Sequence, residues 1–169
     1  MYYFAYGSNM SCRRLQARVL SARKLAVGLL PAHELMFHKI GKDGSAKCDI
    51  RVCEDRRDNR EVYVYGVVFE IDPAHKRALD RIEGLGDGYE EKTVTIVLPN
   101  GSSVTAFTYF ATHTDASLRP LDWYRDHVLI GARENGLPAD YIRAIELQAT
   151  REDPDRQRRE NELAIYRLE

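Results

Sequence analysis

Two short stretches carry the residue types that could do chemistry. The first is Tyr6-Gly7-Ser8-Asn9-Met10, set between the apolar run Tyr2-Tyr3-Phe4-Ala5 and the basic segment Arg13-Arg14-Leu15-Gln16-Ala17-Arg18. A buried strand that stops at a glycine, followed by a helix capped at Ser11, leaves several backbone N–H groups aimed at one spot. Those donors, together with the positive end of the helix dipole, favour an anion. The loop has no Walker lysine and lacks the second and third glycines of a dinucleotide fingerprint, so a small carboxylate fits better than ATP or NAD. An ordinary turn between a strand and a helix would have the same composition.

The second stretch is centred on Glu83. Asp72-Pro73 supplies an N-cap and a first-turn proline, and the following helix ends at Glu83, with Gly84 as its left-handed cap. Helices favour cations in the last turn, so a glutamate there runs against the local rule. An exposed Glu tolerates this at a few tenths of a kcal/mol. A carboxylate beside the glycine-rich loop Gly84-Leu85-Gly86-Asp87-Gly88 is also how a site that admits a ligand would be built.

The remaining reactive side chains make poorer constellations. Cys48 and Cys53, with Asp49 and His38 nearby, are metal-ligand types, but five residues apart on a strand the two thiols point to opposite faces. No histidine spacing demands a cysteine nucleophile, and alternation makes one of the pair a small buried hydrophobe. His127 reads as a satisfied, partly buried side chain. The odd count of three cysteines argues for free thiols.

The elements that position these residues follow from patterning. Lys24 to Leu30 reads as a strand stopped by Pro31, His33 to His38 as a strand or an extended connection, and Cys48 to Cys53 as another strand. Residues 41–46 form a loop, and residues 54–60 a solvated charged loop. Val62 to Ile71 is the clearest strand, nearly continuous in β-branched and aromatic residues, with Gly66 marking a bulge or a close backbone approach. Ala74, Ala78, Leu79 and Ile82 give the next helix an apolar face. Tyr89 to Leu98 and Val104 to Phe110 form a hairpin around Pro99-Asn100-Gly101. Leu121 to Asn135 is a helix closed by Gly136. Leu137-Pro138 starts the next, with Tyr141, Ile142, Ile145 and Leu147 as its buried stripe. From about residue 151 a mixed-charge tail forms a solvated helix, with Asp153-Pro154 as cap and first turn.

The fold class is therefore α+β: a small, mixed but mostly antiparallel sheet curled into a barrel with peripheral helices. At 169 residues, one domain spans 1–169. A net charge of −1 gives no reason to expect a nucleic-acid partner. The absence of a signal-peptide pattern or a ~20-residue apolar run points to a cytoplasmic protein with no membrane partner.

Taken together, Tyr6-Gly7-Ser8-Asn9-Met10, Glu83-Gly84 followed by Tyr89, and Tyr109 in a late strand resemble the γ-glutamylcyclotransferase family. Gly131-Ala132-Arg133-Glu134-Asn135-Gly136-Leu137-Pro138, flanked by Tyr124 and Tyr141, is similar to that family's C-terminal helical segment. The likeness implies a γ-glutamylcyclotransferase-like barrel and an enzyme acting on a small-molecule γ-glutamyl substrate. Its chemistry is cyclising amide cleavage (a lyase or acyltransferase reaction) that releases 5-oxoproline and an amine or amino acid, with no metal and no cofactor. By position, it implies that Tyr6, Gly7, Ser8, Asn9 and Met10 line the substrate pocket, that Tyr89 and Tyr109 shape or hydrogen-bond it, and that Glu83 is the catalytic acid/base. Met10 stands where the family often has leucine. Glutathione-specific relatives usually have Leu at the position of Asn9, which argues against that substrate. The leaving side of the substrate would meet loops 41–47, 54–60 and 112–120. The helix dipole contributes ~0.3–1 kcal/mol, less than the ~1.4 kcal/mol of one pKa unit, so a basic Glu83 would need burial in a largely dry pocket beside the Gly7 loop. A non-catalytic carboxylate-binding module on the same fold is the alternative.

Overall fold

The computed structural model describes residues 1–53 and 62–167; the charged loop expected at 54–60, and Leu168, lie outside the described residues. In chain order the elements are β1 Tyr2–Ala5, α1 Cys12–Arg18, β2 Arg23–Pro31, β3 His33–Ile40, β4 Ala46–Val52, β5 Tyr63–Glu70, α2 Lys76–Glu83, β6 Tyr89–Val97, β7 Ser103–Ala111, α3 Asp122–Glu134, α4 Ala139–Glu146 and α5 Arg156–Ala164.

Five strands close a mixed barrel in the order β1-β5-β2-β6-β7. The neighbours pair antiparallel, and the ring closes through one parallel contact of Tyr3 with Phe107 between β1 and β7. The core on its two faces includes Phe4, Val64, Val67, Phe69, Ile71 and Ile96, each fully or almost fully buried. Burying such side chains contributes roughly 1.5–3 kcal/mol apiece, which favours the β-branched run of β5 in a strand paired on both edges, between β1 and β2. Gly66 marks close approach rather than a bulge: it pairs in register with Gly28, and a Cβ there would sit 2.5 Å from the Ala5 carbonyl oxygen and 2.6 Å from the Phe4 ring. The bulge falls in β2, between Lys24 and Ala26.

β3 and β4 form a separate antiparallel hairpin beside the barrel. His33 to His38 is thus a strand, extending to Ile40. Asp72 caps as expected, its carboxylate accepting from the Ala74 N–H at 2.8 Å, but the first turn is 3-10 and precedes α2. Gly84 closes α2 in the left-handed conformation at φ 76°. Gly136 does the same after α3 at φ 66°.

Several expectations change. On α2 only Leu79 is fully buried, while Ile82 is 44% exposed because it faces an open cleft. Leu147, expected in the α4 stripe, is 67% exposed, since α4 has already ended at Glu146. Ser11 occupies the N-cap position of α1, yet its side chain makes no cap hydrogen bond. Asp155, not Asp153, caps α5, accepting from the Arg158 N–H. Asp153 is instead an almost fully buried anchor, accepting from Trp123 Nε1 at 2.6 Å and from both Arg158 nitrogens at 2.6 Å. Those bonds hold its carboxyl well below the usual range. Together with Glu162, which bonds Arg14, Asp153 docks a tail expected to be merely solvated.

Candidate active site

At the end of β1 the chain turns at Gly7 into one 3-10 turn, Ser8–Met10, before α1 begins. The first N–H groups of such a turn have no partner within it. Gly7 suits the close packing here: a Cβ would lie 3.0 Å from Cys48 Cβ on β4 and 3.5 Å from the Tyr124 hydroxyl on α3. α3 presses on the other side of the turn, where Asn135 Nδ2 donates to the Met10 carbonyl at 2.9 Å.

The turn and the C-terminal end of α2 meet directly. Asn9 Nδ2 donates to Glu83 Oε1 at 2.7 Å and to the Tyr3 hydroxyl at 3.2 Å, and Asn9 Oδ1 accepts from Arg18 Nη1 at 2.8 Å. Arg18 Nη1 also lies 3.5 Å from Glu83 Oε1. With its side chain fully engaged, Asn9 has only its main chain to offer a ligand in this arrangement. The Glu83 side chain is 18% exposed and sits between polar donors, so it is only partly buried rather than sealed in a dry pocket.

Beside this junction lies a narrow cavity of about 30 Å³, room for about one water, lined by Tyr3, Tyr6, Gly7, Ser8, Asn9, Cys48, Glu83, Tyr89, Tyr109 and Tyr124. It adjoins an outer cleft of about 290 Å³, and Ser8, Glu83, Tyr89 and Tyr124 line both. The tyrosine hydroxyls are turned to internal partners. Tyr6 donates to the Tyr109 carbonyl at 2.7 Å, Tyr89 to the Cys48 carbonyl at 2.6 Å and Tyr109 to Asp80 Oδ1 at 2.6 Å. The Tyr124 hydroxyl accepts from the Cys48 N–H at 3.0 Å. Burial holds all of these phenols well above their ordinary pKa, so they shape the cavity as neutral groups. Burial also pushes the Cys48 thiol up to about 12, which makes it inert as a nucleophile.

The structure thus gathers Tyr6, Gly7, Ser8, Asn9, Glu83, Tyr89 and Tyr109 around one cavity. Met10 is the exception: its side chain is fully buried in the core against α3, because the 3-10 turn points it inward. Among the loops expected at the leaving side, Gly41, Lys42, Asp43 and Lys47 line the outer cleft. No residue of 112–120 lines the outer cleft; that segment packs on the β3–β4 hairpin, through a bridge of Thr114 to Lys39 and a bond from Ala46 N–H to the Arg119 carbonyl. Residues 54–60 lie outside the described residues. Sequence reasoning did not single out Arg18, Asp80, Tyr3 or Lys39 for the site. Helical spacing held two of the signals, since Asp80 is one turn before Glu83 and Arg18 one turn after Arg14.

Asp49 and His38 are committed to each other, His38 Nε2 lying 2.8 Å from Asp49 Oδ2, and Asp49 Oδ1 accepts from the Ala111 N–H at 2.7 Å. Among the described residues no three His, Cys, Asp or Glu side chains group as metal ligands would. No helix among them is long and apolar enough to cross a membrane.

The γ-glutamylcyclotransferase of Homo sapiens is 32% identical over 149 residues, covering 85% of this chain and 78% of the human protein. That of Bos taurus is 32% identical over 147 residues, covering 85% of this chain and 76% of the relative. The chain belongs to the γ-glutamylcyclotransferase family. The AIG2-like family also matches, over residues 63–145. A solved γ-glutamyl cyclotransferase structure superposes with a TM-score of 0.85, covering 99% of both chains at 24% identity. The mixed barrel with peripheral helices is therefore this family's fold, and the cavity stands in it where the turn after β1 meets the end of α2.

Proposed function

We propose that this γ-glutamylcyclotransferase family member cleaves a γ-glutamyl amide by attack of the substrate's own α-amine on its γ-carbonyl. The new N–Cγ bond closes a five-membered ring, the amide C–N bond breaks, and the products are 5-oxoproline and a free amine or amino acid. The single observation that carries this reading is the 2.7 Å hydrogen bond from Asn9 to Glu83, which joins the turn after β1 to one carboxylate at the mouth of a tyrosine-lined cavity.

Because the nucleophile is tethered to its electrophile, well-oriented attack can reach effective molarities of ~10⁵ M or more. The protein then has three tasks. The main-chain donors of Gly7, Ser8 and Asn9 hold the α-carboxylate. Glu83 takes a proton from the α-ammonium and passes it to the departing nitrogen, with Arg18 and Asn9 fixing the position of the Glu83 carboxylate. The second proton that the ring nitrogen sheds is carried off by the departing amine as its ammonium. The rings of Tyr6, Tyr89 and Tyr109 set the width of the cavity, and the outer cleft takes the departing group.

We place the reaction in the cytoplasm, a reading supported by the free thiols of Cys12, Cys48 and Cys53. We treat residues 1–169 as one domain that includes the docked tail. The test is a panel of γ-glutamyl amino acids and amines assayed for 5-oxoproline. Turnover of at least one is expected. A folded protein that turns over none would be a binding module instead.

A further inference from the structure

Five cationic side chains line the outer cleft: Arg14, Arg18, Lys39, Lys42 and Lys47. Four have a carboxylate partner. Arg14 bonds Glu162 at 2.9 Å, Arg18 lies 3.5 Å from Glu83, Lys42 lies 3.4 Å from Asp87, and Lys47 donates to Asp43 at 2.7 Å. Lys39 is the fifth. Among the described residues, its ammonium has no hydrogen bond and no carboxylate within 4.0 Å, and Asp87 and Glu83 act on it only at longer range.

Lys39 is nevertheless only 6% exposed. Its Nζ lies 4.7 Å from the Tyr89 ring centroid, and a Cβ on Gly88 would come within 3.1 Å of it. Desolvating an ammonium without a counter-charge is costly, and here burial lowers its pKa from the ordinary lysine value. A methionine of similar length would fill the same channel without that cost. The face of the Tyr89 ring offsets part of that cost, but the fold supplies no counter-charge. Tyr89, over whose ring the ammonium sits, lines both the inner cavity and the outer cleft, so Lys39 faces the cleft one ring away from Glu83's cavity.

We propose that Lys39 determines the specificity of the outer cleft, pairing with a carboxylate carried by the departing amine, so that γ-glutamyl amino acids and peptides are favoured over γ-glutamyl amines lacking one. The inference rests on the cyclising reading of the site. It names the subsite that supplies the missing counter-charge, and it distinguishes Lys39 from the other cations, whose charges are already matched.

The experiment compares γ-glutamyl-alanine with γ-glutamyl-alanine amide in the native protein and in Lys39→Met, which keeps the buried stem. An ion pair to a desolvated partner corresponds to about a ten- to hundredfold preference. The native protein should favour the free carboxylate by that factor in kcat/KM. Lys39→Met should bring the ratio close to one, with the loss appearing in KM. An unchanged ratio, or equal losses on both substrates, would overturn the assignment, the latter because Lys39 would then grip the glutamyl part. Thermal shifts with the same two compounds read the subsite without turnover. A larger shift with the carboxylate form in the native protein only is expected, and equal shifts in both proteins would overturn it. Absence of 5-oxoproline alongside an intact binding difference would instead be a failure of the cyclising reading.

Discussion

Gly131→Ala tests how tightly α3 braces the turn that carries Asn9. Gly131 lies in the interior of α3, where replacing glycine with alanine ordinarily stabilises a helix by ~1 kcal/mol. Here the added Cβ would sit 2.8 Å from Met10 Cβ, 2.8 Å from the Ser11 nitrogen and 3.1 Å from the Met10 carbonyl carbon. Two of these neighbours are backbone, so no rotamer change relieves the clash. Restoring an ordinary contact of 3.4 Å requires the turn and α3 to separate by about 0.6 Å. Such overpacking typically costs ~1–3 kcal/mol, which offsets the propensity gain and leaves a net loss of up to ~2 kcal/mol. At ~2–4 °C per kcal/mol for a chain of this size, the melting temperature should fall by a few degrees. Asn9 moves with the turn, so its 2.7 Å bond to Glu83 lengthens. Since a 1 Å misplacement can cost ~10²-fold, a roughly tenfold drop in kcat/KM is expected. Thermal unfolding and 5-oxoproline release, measured on the same preparation, check both parts. A raised melting temperature with unchanged turnover would refute the bracing argument.

Two further perturbations follow from the same geometry. His127 is fully buried, with Nε2 2.8 Å from Arg14 and 3.1 Å from Glu162 and Nδ1 2.7 Å from the Tyr166 hydroxyl, and burial lowers its pKa from 6.5 to about 4. The folded state therefore binds fewer protons than the unfolded chain in that window. Roughly 3 kcal/mol of stability, complete above pH 6.5, should be lost as pH falls towards 4. Glu162, lowered from 4.5 to about 2 by His127 and Arg14, extends the loss below that range. Urea unfolding across the pH range measures it, and stability that stays flat between pH 6.5 and 4 would contradict the assignment. Tyr124→Phe removes the acceptor of the buried Cys48 N–H and should cost ~1–3 kcal/mol, read as a lower urea midpoint; a midpoint matching the native protein's would mean that the N–H finds another partner.

What was legible in the sequence was local. Asp72, Gly84, Gly136 and the Pro99-Asn100-Gly101 turn meet backbone requirements that only a few residue types satisfy, and the structure uses each of them there. Glu83 stood out because it opposes the helix dipole, a conflict visible within one turn. Resemblance, rather than spacing, linked it to Asn9, 74 residues away. The bond from Cys48 N–H to Tyr124, 76 residues apart, was equally invisible, because it joins the separate β3–β4 hairpin to α3, elements that meet only in the folded chain. Where periodicity misled, a neighbour was absent or an end came early: Ile82 faces a cleft instead of a core, and Leu147 falls just beyond α4. Asp153 carried a capping pattern, but Trp123 and Arg158 claim its carboxylate and leave the cap to Asp155. Met10 followed the family's motif into the pocket, whereas its position in the 3-10 turn sends it into the core.

In the proposed ring-closing amide cleavage, one carboxylate, Glu83, carries the proton. The most direct test of that role is 5-oxoproline release by Glu83→Gln, using whichever γ-glutamyl amide the native protein turns over best. The amide keeps the shape of the side chain and can still accept from Asn9, so the melting temperature should hold within a degree or two. General acid–base catalysis contributes ~10²–10⁴-fold, and kcat should fall by that factor with little change in KM. A Glu83→Gln protein that stays folded and releases 5-oxoproline at the native rate would contradict the account.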